Sequence, residues 1–173
     1  MVAILALDIS GNHPSLADEG KGTTGCAFSN NGKEQLFDVS ATDFKTVEEY
    51  WFYIGMMFEN LKPDYVVIEG YRLYNHKGKS ASIQSQSVMP TSQLLGYLRM
   101  NLWFKGIPLT IQYAADVKTR WSDDVLANLE LFERRGSNIY FNGERTNAHK
   151  RDAYRHLKHF ERYKLPKLQG ESK

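Results

Sequence analysis

The stretch that most constrains this chain is residues 2–8, V-A-I-L-A-L-D. An unbroken apolar run of this length, closing on a carboxylate, needs cover on both faces, as a strand in the middle of a sheet has. Tyr65–Glu69 (Y-V-V-I-E) repeats the pattern and again ends on an acid. In open α/β sheets, ligand chemistry gathers at the carboxyl ends of the strands. If the two runs are neighbours, Asp8 and Glu69 emerge side by side, and such a pair repels unless a cation lies between them. The pattern points to a divalent-metal site.

The rest of the chain supplies the layers such a sheet needs. After Asp8 comes a loop rich in turn formers, Ser10-Gly11-Asn12-His13-Pro14 and then Gly20-Lys21-Gly22, either a substrate-contacting insertion or an excursion. Its acids Asp18 and Glu19 read as solvated, and His13 as a loop residue. Thr24–Phe28 predicts a second strand, Asn31-Gly32 a hairpin turn and residues 34–39 a third strand, making an antiparallel meander. Val47, Tyr50, Trp51, Ile54, Phe58 and Leu61 recur at helical spacing over residues 46–62, and Lys62-Pro63 ends that helix. Pro90 interrupts a second helical region at about 80–105, so a helix near 91–103 is expected, striped by Leu94, Leu95, Leu98 and Leu102. Residues 109–113 read as a strand, and the segment from Asp116 as a short helix.

Ser122 caps a further helix, with Asp123 and Asp124 as first-turn acids and Val125, Leu126, Leu129 and Phe132 inward. Residues 137–141 with Asn142-Gly143 read as a short strand or turn. The last helix runs over about 148–163, capped by Thr146 or Asn147. It carries His149, Asp152, Ala153, His156, Leu157 and Phe160 on one face. The order β-β-β-α-β-α-β is an α/β pattern with a partly antiparallel sheet.

Composition bounds the function. The 173 residues are 42% hydrophobic and 13% aromatic, which suits one domain with a substantial core and excludes a disordered chain. No stretch has the length of a membrane span, and the start lacks the basic region and cleavage site of a signal peptide. The single cysteine, Cys26, cannot form an internal disulfide and reads as a small buried residue, which suits a reducing cytoplasm. Net charge is only +2, yet the segment from Lys150 to Lys167 is strongly basic, which suits a polyanion or a solvated helix face. The loop Gly70-Tyr71-Arg72-Leu73-Tyr74-Asn75-His76-Lys77-Gly78-Lys79 interleaves aromatics with cations directly after Glu69. That mixture suits stacking on unpaired bases and contact with phosphates.

Asp8, Glu69 and the pair His149/Asp152 thus form a candidate constellation of three carboxylates and an imidazole. Oxygen-rich ligation suits magnesium or manganese rather than structural zinc. Two such ions in one site can activate a water and stabilise the leaving oxygen of a phosphodiester.

I-L-A-L-D with T-G-C-A-F behind it, then K-P-D-Y-V-V-I-E, Y-A-A-D-V-K and H-K-R-D-A-Y-R-H follow one another along the chain. In these segments the sequence resembles the RuvC family of Holliday-junction resolvases. The resemblance implies an α/β, ribonuclease H-like fold: a mixed five-stranded sheet flanked by helices. Residues 1–163 then read as a single nuclease domain, and 164–173, from their own composition and terminal place, as a basic, disordered tail. The family's metal set falls on Asp8, Glu69, His149 and Asp152, with two magnesium ions (or manganese) per site. Its basic residue after Y-A-A falls on Lys118, which would contact DNA backbone. Tyr71, Arg72, Tyr74, His76, Lys77, Lys79, Arg120, Lys150 and Arg151 complete the expected DNA-binding set.

The activity implied is metal-dependent resolution of Holliday junctions and other branched DNA by a cytoplasmic homodimer, with residues 80–102 at the interface. The alternatives are a nuclease of the same fold acting on another nucleic acid, or a branched-DNA-binding protein that cuts nothing. The chain departs from the family in its long loop after Asp8, in Arg72 where a wedging aromatic is expected, and in residues 121–135 replacing a glycine-rich segment. Such departures suit a divergent, phage-type member.

Overall fold

The structure is a computed structural model and describes residues 2–16, 20–70 and 89–170. Its centre is a five-stranded mixed sheet in the order β3-β2-β1-β4-β5. The strands are β1 (Ala3–Asp8), β2 (Thr23–Asn30), β3 (Lys33–Ser40), β4 (Tyr65–Glu69) and β5 (Leu109–Gln112). β2 runs antiparallel to both β1 and β3, while β4 is parallel to β1 and β5. The expected hairpin joins β2 to β3, with Asn31 and Gly32 both at positive φ (55° and 79°), as the twist of a two-residue hairpin requires.

Alternation along β1 explains its unbroken apolar run. Leu5 and Leu7 enter one core with Cys26, Phe28, Val66 and Ile68; Ile4 and Ala6 enter a second core with Ala27 and Val67. The first core is roofed by α1 (Val47–Leu61) and α2 (Pro90–Lys105) through Tyr50, Ile54, Phe58, Leu94, Leu98 and Leu102. Thr46 caps α1 by accepting from the Glu49 amide, and Lys62 ends it in the left-handed region. Pro90 opens α2 instead of kinking it, since a first-turn residue has no intrahelical N–H to lose.

The second core is covered by the last long helix. Two short helices, α3 (Ala114–Lys118) and α4 (Asp123–Asn128), lead into a small antiparallel meander. Its strands β6 (Glu133–Arg135), β7 (Asn138–Phe141) and β8 (Glu144–Arg145) form a separate sheet. α5 (Ala148–Tyr163) follows, capped by Asn147, and buries Ala153, Tyr154, Leu157 and Phe160 against β1, β2 and the meander. Thr146, the other cap candidate, instead donates its hydroxyl to the Ile139 carbonyl at 2.9 Å and ties α5 to β7.

Of the two readings of 137–141 the short strand holds, as Asn138–Phe141, the middle of three. Two expectations need correction. Val125 and Leu129 are exposed: a six-residue helix presents one inward position, taken by Leu126, and Glu130 at φ 57° then turns the chain so that Phe132 packs. Beyond Tyr163 the chain forms a further turn of helix, α6 (Leu165–Leu168), whose Leu165 packs on the second core, where a frayed tail was expected.

The loop after Asp8 is held in place over residues 9–16. Ser10 donates its amide to the Thr24 hydroxyl (3.2 Å), Thr24 lies 2.8 Å from the Tyr50 hydroxyl, and Tyr50 donates back to the Ser10 carbonyl (3.0 Å). The Trp51 indole donates to the Gly11 carbonyl at 3.0 Å, and the Gly11 amide to the Thr91 hydroxyl at 3.1 Å. His13 is buried, its Nε2 donating to the Phe44 carbonyl and its Nδ1 accepting from Ser15. It is a structural strap. Asp18, Glu19 and the 71–79 loop lie outside the described residues.

Gly25 sets how closely α5 approaches the sheet. It pairs with Asp8, and a Cβ there would lie 2.1 Å from the His149 carbonyl oxygen. Backbone cannot yield as a side-chain tip can. Gly25→Ala should cost about 1–3 kcal/mol of stability and lift the start of α5 off β1. Chemical denaturation and divalent-cation binding, measured together, should both weaken; an unchanged pair would mean that the close approach is not needed.

Candidate metal centre

Two strand ends and one helix build the site. The parallel register pairs Ile4 with Tyr65 and Leu7 with Ile68, so Asp8 and Glu69 end their strands side by side. Asp8 follows Ile4 and Ala6 in alternation, and Glu69 follows Val67, so both carboxylates emerge on the α5 side of the sheet. α5 crosses over them with Gly25 giving it room, and projects His149, Asp152 and His156 from one face at i, i+3 and i+7.

Oxygens of Asp8, Glu69 and Asp152 lie within 4.8 Å of one another. All three carboxylates are largely buried. Each has a nitrogen partner. His149 Nδ1 donates to Asp8 Oδ2 at 2.8 Å, and His156 Nε2 lies 3.1 Å from Glu69 Oε2. Lys118 Nζ, at the end of α3, sits 2.8 Å from Asp152 Oδ2, and Arg155 holds the other oxygen of Asp152 while also pairing with Asp123.

Electrostatics agree with a cation-seeking site. Burial raises the Asp8 carboxyl above its ordinary range, with the charges of Glu69 and Asp152 adding to it against the hydrogen bond from His149. Burial works against the Lys118 ammonium, yet the hydrogen bond to Asp152 and the charges of Asp152, Glu69 and Asp8 prevail and raise it. The His149 imidazole is likewise raised, chiefly by its bond to Asp8. The Lys118 ammonium thus feels all three acids. An all-oxygen donor set of this kind fits a hard divalent cation such as magnesium or manganese better than zinc, whose structural sites favour Cys and His. Cys26 is no competitor, because burial holds its thiol well above the ordinary range.

Four expected residues, Asp8, Glu69, His149 and Asp152, therefore converge with Lys118. The group of mutually close ligand atoms comprises the three acids; His149, half exposed, is bonded to Asp8. Lys150 pairs with Asp38 at 3.0 Å and Arg151 with Asp123 at 3.4 Å, both on the α5 flank of the site. Arg120 stacks over the Tyr163 ring, 5.0 Å from its centroid, at the other end of α5. Tyr71, Arg72, Tyr74, His76, Lys77 and Lys79 lie outside the described residues. Sequence reasoning missed three supporting groups: His156, Gln112 and Arg155. Their signal was present, since Arg155 and His156 stand three and four positions after Asp152, one helical turn on.

No family model matches the sequence, and the search of curated proteins returns no match. Among solved structures, the fold is similar to Thermus thermophilus RuvC in complex with a Holliday junction substrate. That similarity has a TM-score of 0.58 and 14% sequence identity, over 100% of this chain and 99% of that one. A second Thermus thermophilus RuvC structure matches with a TM-score of 0.56 and 14% identity, over 99% of this chain and 98% of that one. The architecture is thus the ribonuclease H-like one that the sequence resemblance implied.

Because the Asp8 carboxyl is raised, its ionisation weakens the fold: stability present at low pH is lost as pH climbs through the raised value. In chelator at neutral pH, Asp8→Asn should therefore raise Tm, by about 2–4 °C for each kcal/mol relieved. Wild type should gain about 2.7 kcal/mol from magnesium at a hundredfold excess over Kd, and the variant far less. Thermal melts with and without the ion check both; a destabilised variant in chelator would count against a strained cluster.

Proposed function

We propose that the protein is a divalent-metal-dependent endonuclease that resolves Holliday junctions and related branched DNA as a homodimer. The observation that carries the nuclease reading is the three-carboxylate cluster at the edge of a ribonuclease H-like sheet. The fold's similarity to RuvC structures, one of them in complex with a Holliday junction substrate, supports the choice of substrate.

Asp8, Glu69 and Asp152 would hold magnesium or manganese, one ion or two. Bound there, the metal supplies the charge that activates water and stabilises the leaving oxygen of a phosphodiester. The residues of the chain do the rest. Asp8 is oriented by His149, whose exposed ring lies where it can also meet the attacking water. Lys118 neutralises Asp152 and is placed to exchange it for a phosphate oxygen of the strand. Lys150, Arg151, Arg120 and the 71–79 loop are the proposed contacts to the rest of the DNA.

The homodimer reading rests on α2. Trp103 and Phe104 are 71% and 75% exposed and stack edge to face, with Met100 exposed beside them. An exposed apolar cluster at a helix end supports the reading of an interaction surface there. A second copy on this surface would give the two sites that symmetric cutting needs.

A labelled four-way junction in magnesium should receive paired, symmetric nicks. Asp152→Asn should reduce cutting by more than the about 10–100-fold typical of residues that merely support a ligand. Matched flaps, single strands and RNA–DNA hybrid run alongside separate the substrates; stronger cutting of the hybrid would overturn the resolvase reading, and binding without cutting in magnesium or manganese would overturn the nuclease.

The dimer has its own test. Trp103→Glu with Phe104→Glu alters exposed side chains, so the fold should survive. Light scattering should find monomer in place of dimer, and nicks should lose their pairing. A monomeric wild type with and without junction DNA would remove the homodimer.

A further inference from the structure

His156 is fully buried in the second core's upper edge, yet neither of its ring nitrogens faces backbone. Nε2 is 3.1 Å from Glu69 Oε2, and Nδ1 is 3.0 Å from Gln112 Oε1. Gln112 is itself buried, and it pairs with Glu69 in the register of β4 and β5. His156 therefore bridges the side chains of Glu69 and Gln112 beneath the carboxylate cluster. A buried histidine in an apolar core usually satisfies itself on a carbonyl or stays out. This one spends both nitrogens on side chains, one of them a site acid.

The hydrogen-bond pattern assigns the protons. As placed, the Gln112 amide nitrogen is buried without a partner while its oxygen faces a ring nitrogen. A half-turn of the amide exchanges oxygen and nitrogen and cures this: Nε2 of Gln112 then donates to His156 Nδ1. A carbonyl oxygen left in the former place of the nitrogen is the less costly orphan. With Nδ1 accepting, the ring proton belongs on Nε2, where it donates to Glu69.

We propose that His156 is a positioning residue for Glu69, with Gln112 fixing its tautomer. The donation to Oε2 holds Glu69 in one rotamer and leaves Oε1 as the oxygen free for a cation. His156 stands one turn after Asp152 on α5, so one helix both contributes a ligand and orients another strand's ligand. Partners that orient ligating carboxylates typically change metal affinity by about 10–100-fold when removed. The inference rests on the metal-site reading of Glu69.

The test is Mn²⁺ binding, by electron paramagnetic resonance titration, to wild type, His156→Leu and His156→Gln. The glutamine amide can place an N–H where the imidazole Nε2–H was. The expected result is a Kd about 10–100-fold weaker for His156→Leu, largely restored in His156→Gln. A histidine that only fills the core would lower Tm in both variants and leave the Mn²⁺ Kd unchanged, which would overturn the inference alone. Wild type that binds no Mn²⁺ would overturn the metal site and this inference together. Long-range ¹H–¹⁵N spectra of wild type supply a readout independent of any variant's folding. The proton should reside on Nε2 of His156; a proton on Nδ1 alone, or on both nitrogens, overturns the assignment.

Discussion

Three carboxylates whose oxygens lie within 4.8 Å of one another repel, and the site is arranged around that repulsion. The register of β1 on β4 makes it unavoidable, because the apolar residues that must reach both cores also carry Asp8 and Glu69 to the same edge. Compensation comes from α5 and α3. His149 serves Asp8, His156 serves Glu69, and Lys118 with Arg155 serves Asp152. In a partly desolvated setting, removing such a partner leaves an uncompensated charge. The partners are matched one set to each acid, so the cluster is tolerable without metal yet still strained. That condition favours a cation, because the ligand oxygens are already gathered and oriented.

Much of this was legible in the chain. Apolar runs ending on Asp8 and Glu69 fix strand direction and burial together, and the spacing of His149, Asp152 and His156 fixes one helix face. The meander at 133–145 was not legible as a sheet. β6 and β8 are exposed strands of three and two residues, too short to show alternation, and only Ile139 and Phe141 of β7 enter the core. The short helix before it misled for a related reason: with fewer than two turns, apolar residues cannot all face one way, and Val125 and Leu129 remain outside.

His156 and Gln112 illustrate a different limit. A histidine among Ala153, Leu157 and Phe160 reads as part of an apolar stripe, and periodicity cannot say that its ring meets a glutamate from a strand 87 residues away. Pairings of this kind depend on register across the sheet, which the order of elements does not determine. The same holds for Lys118. Its place after Y-A-A suggested backbone contact with DNA, and only the fold places its ammonium against Asp152.

The loop after Asp8 connects the two halves of the functional argument. Gly11 has no room for a Cβ, which would lie 2.1 Å from the Pro90 carbonyl oxygen, and its amide is bonded to Thr91. Trp51 and the Ser10–Thr24–Tyr50 ring secure the same segment to α1 and β2. The site strand therefore passes its position directly to the first turn of α2. The other end of that helix exposes Trp103 and Phe104, the surface proposed to meet a second copy. In such a dimer the spacing between two metal centres would be set through α2 and this strap. A pair of cuts at defined positions on opposite strands needs that kind of fixed spacing. In such a dimer a free loop after Asp8 would leave each site to move independently of the interface, and the strap would remove that freedom.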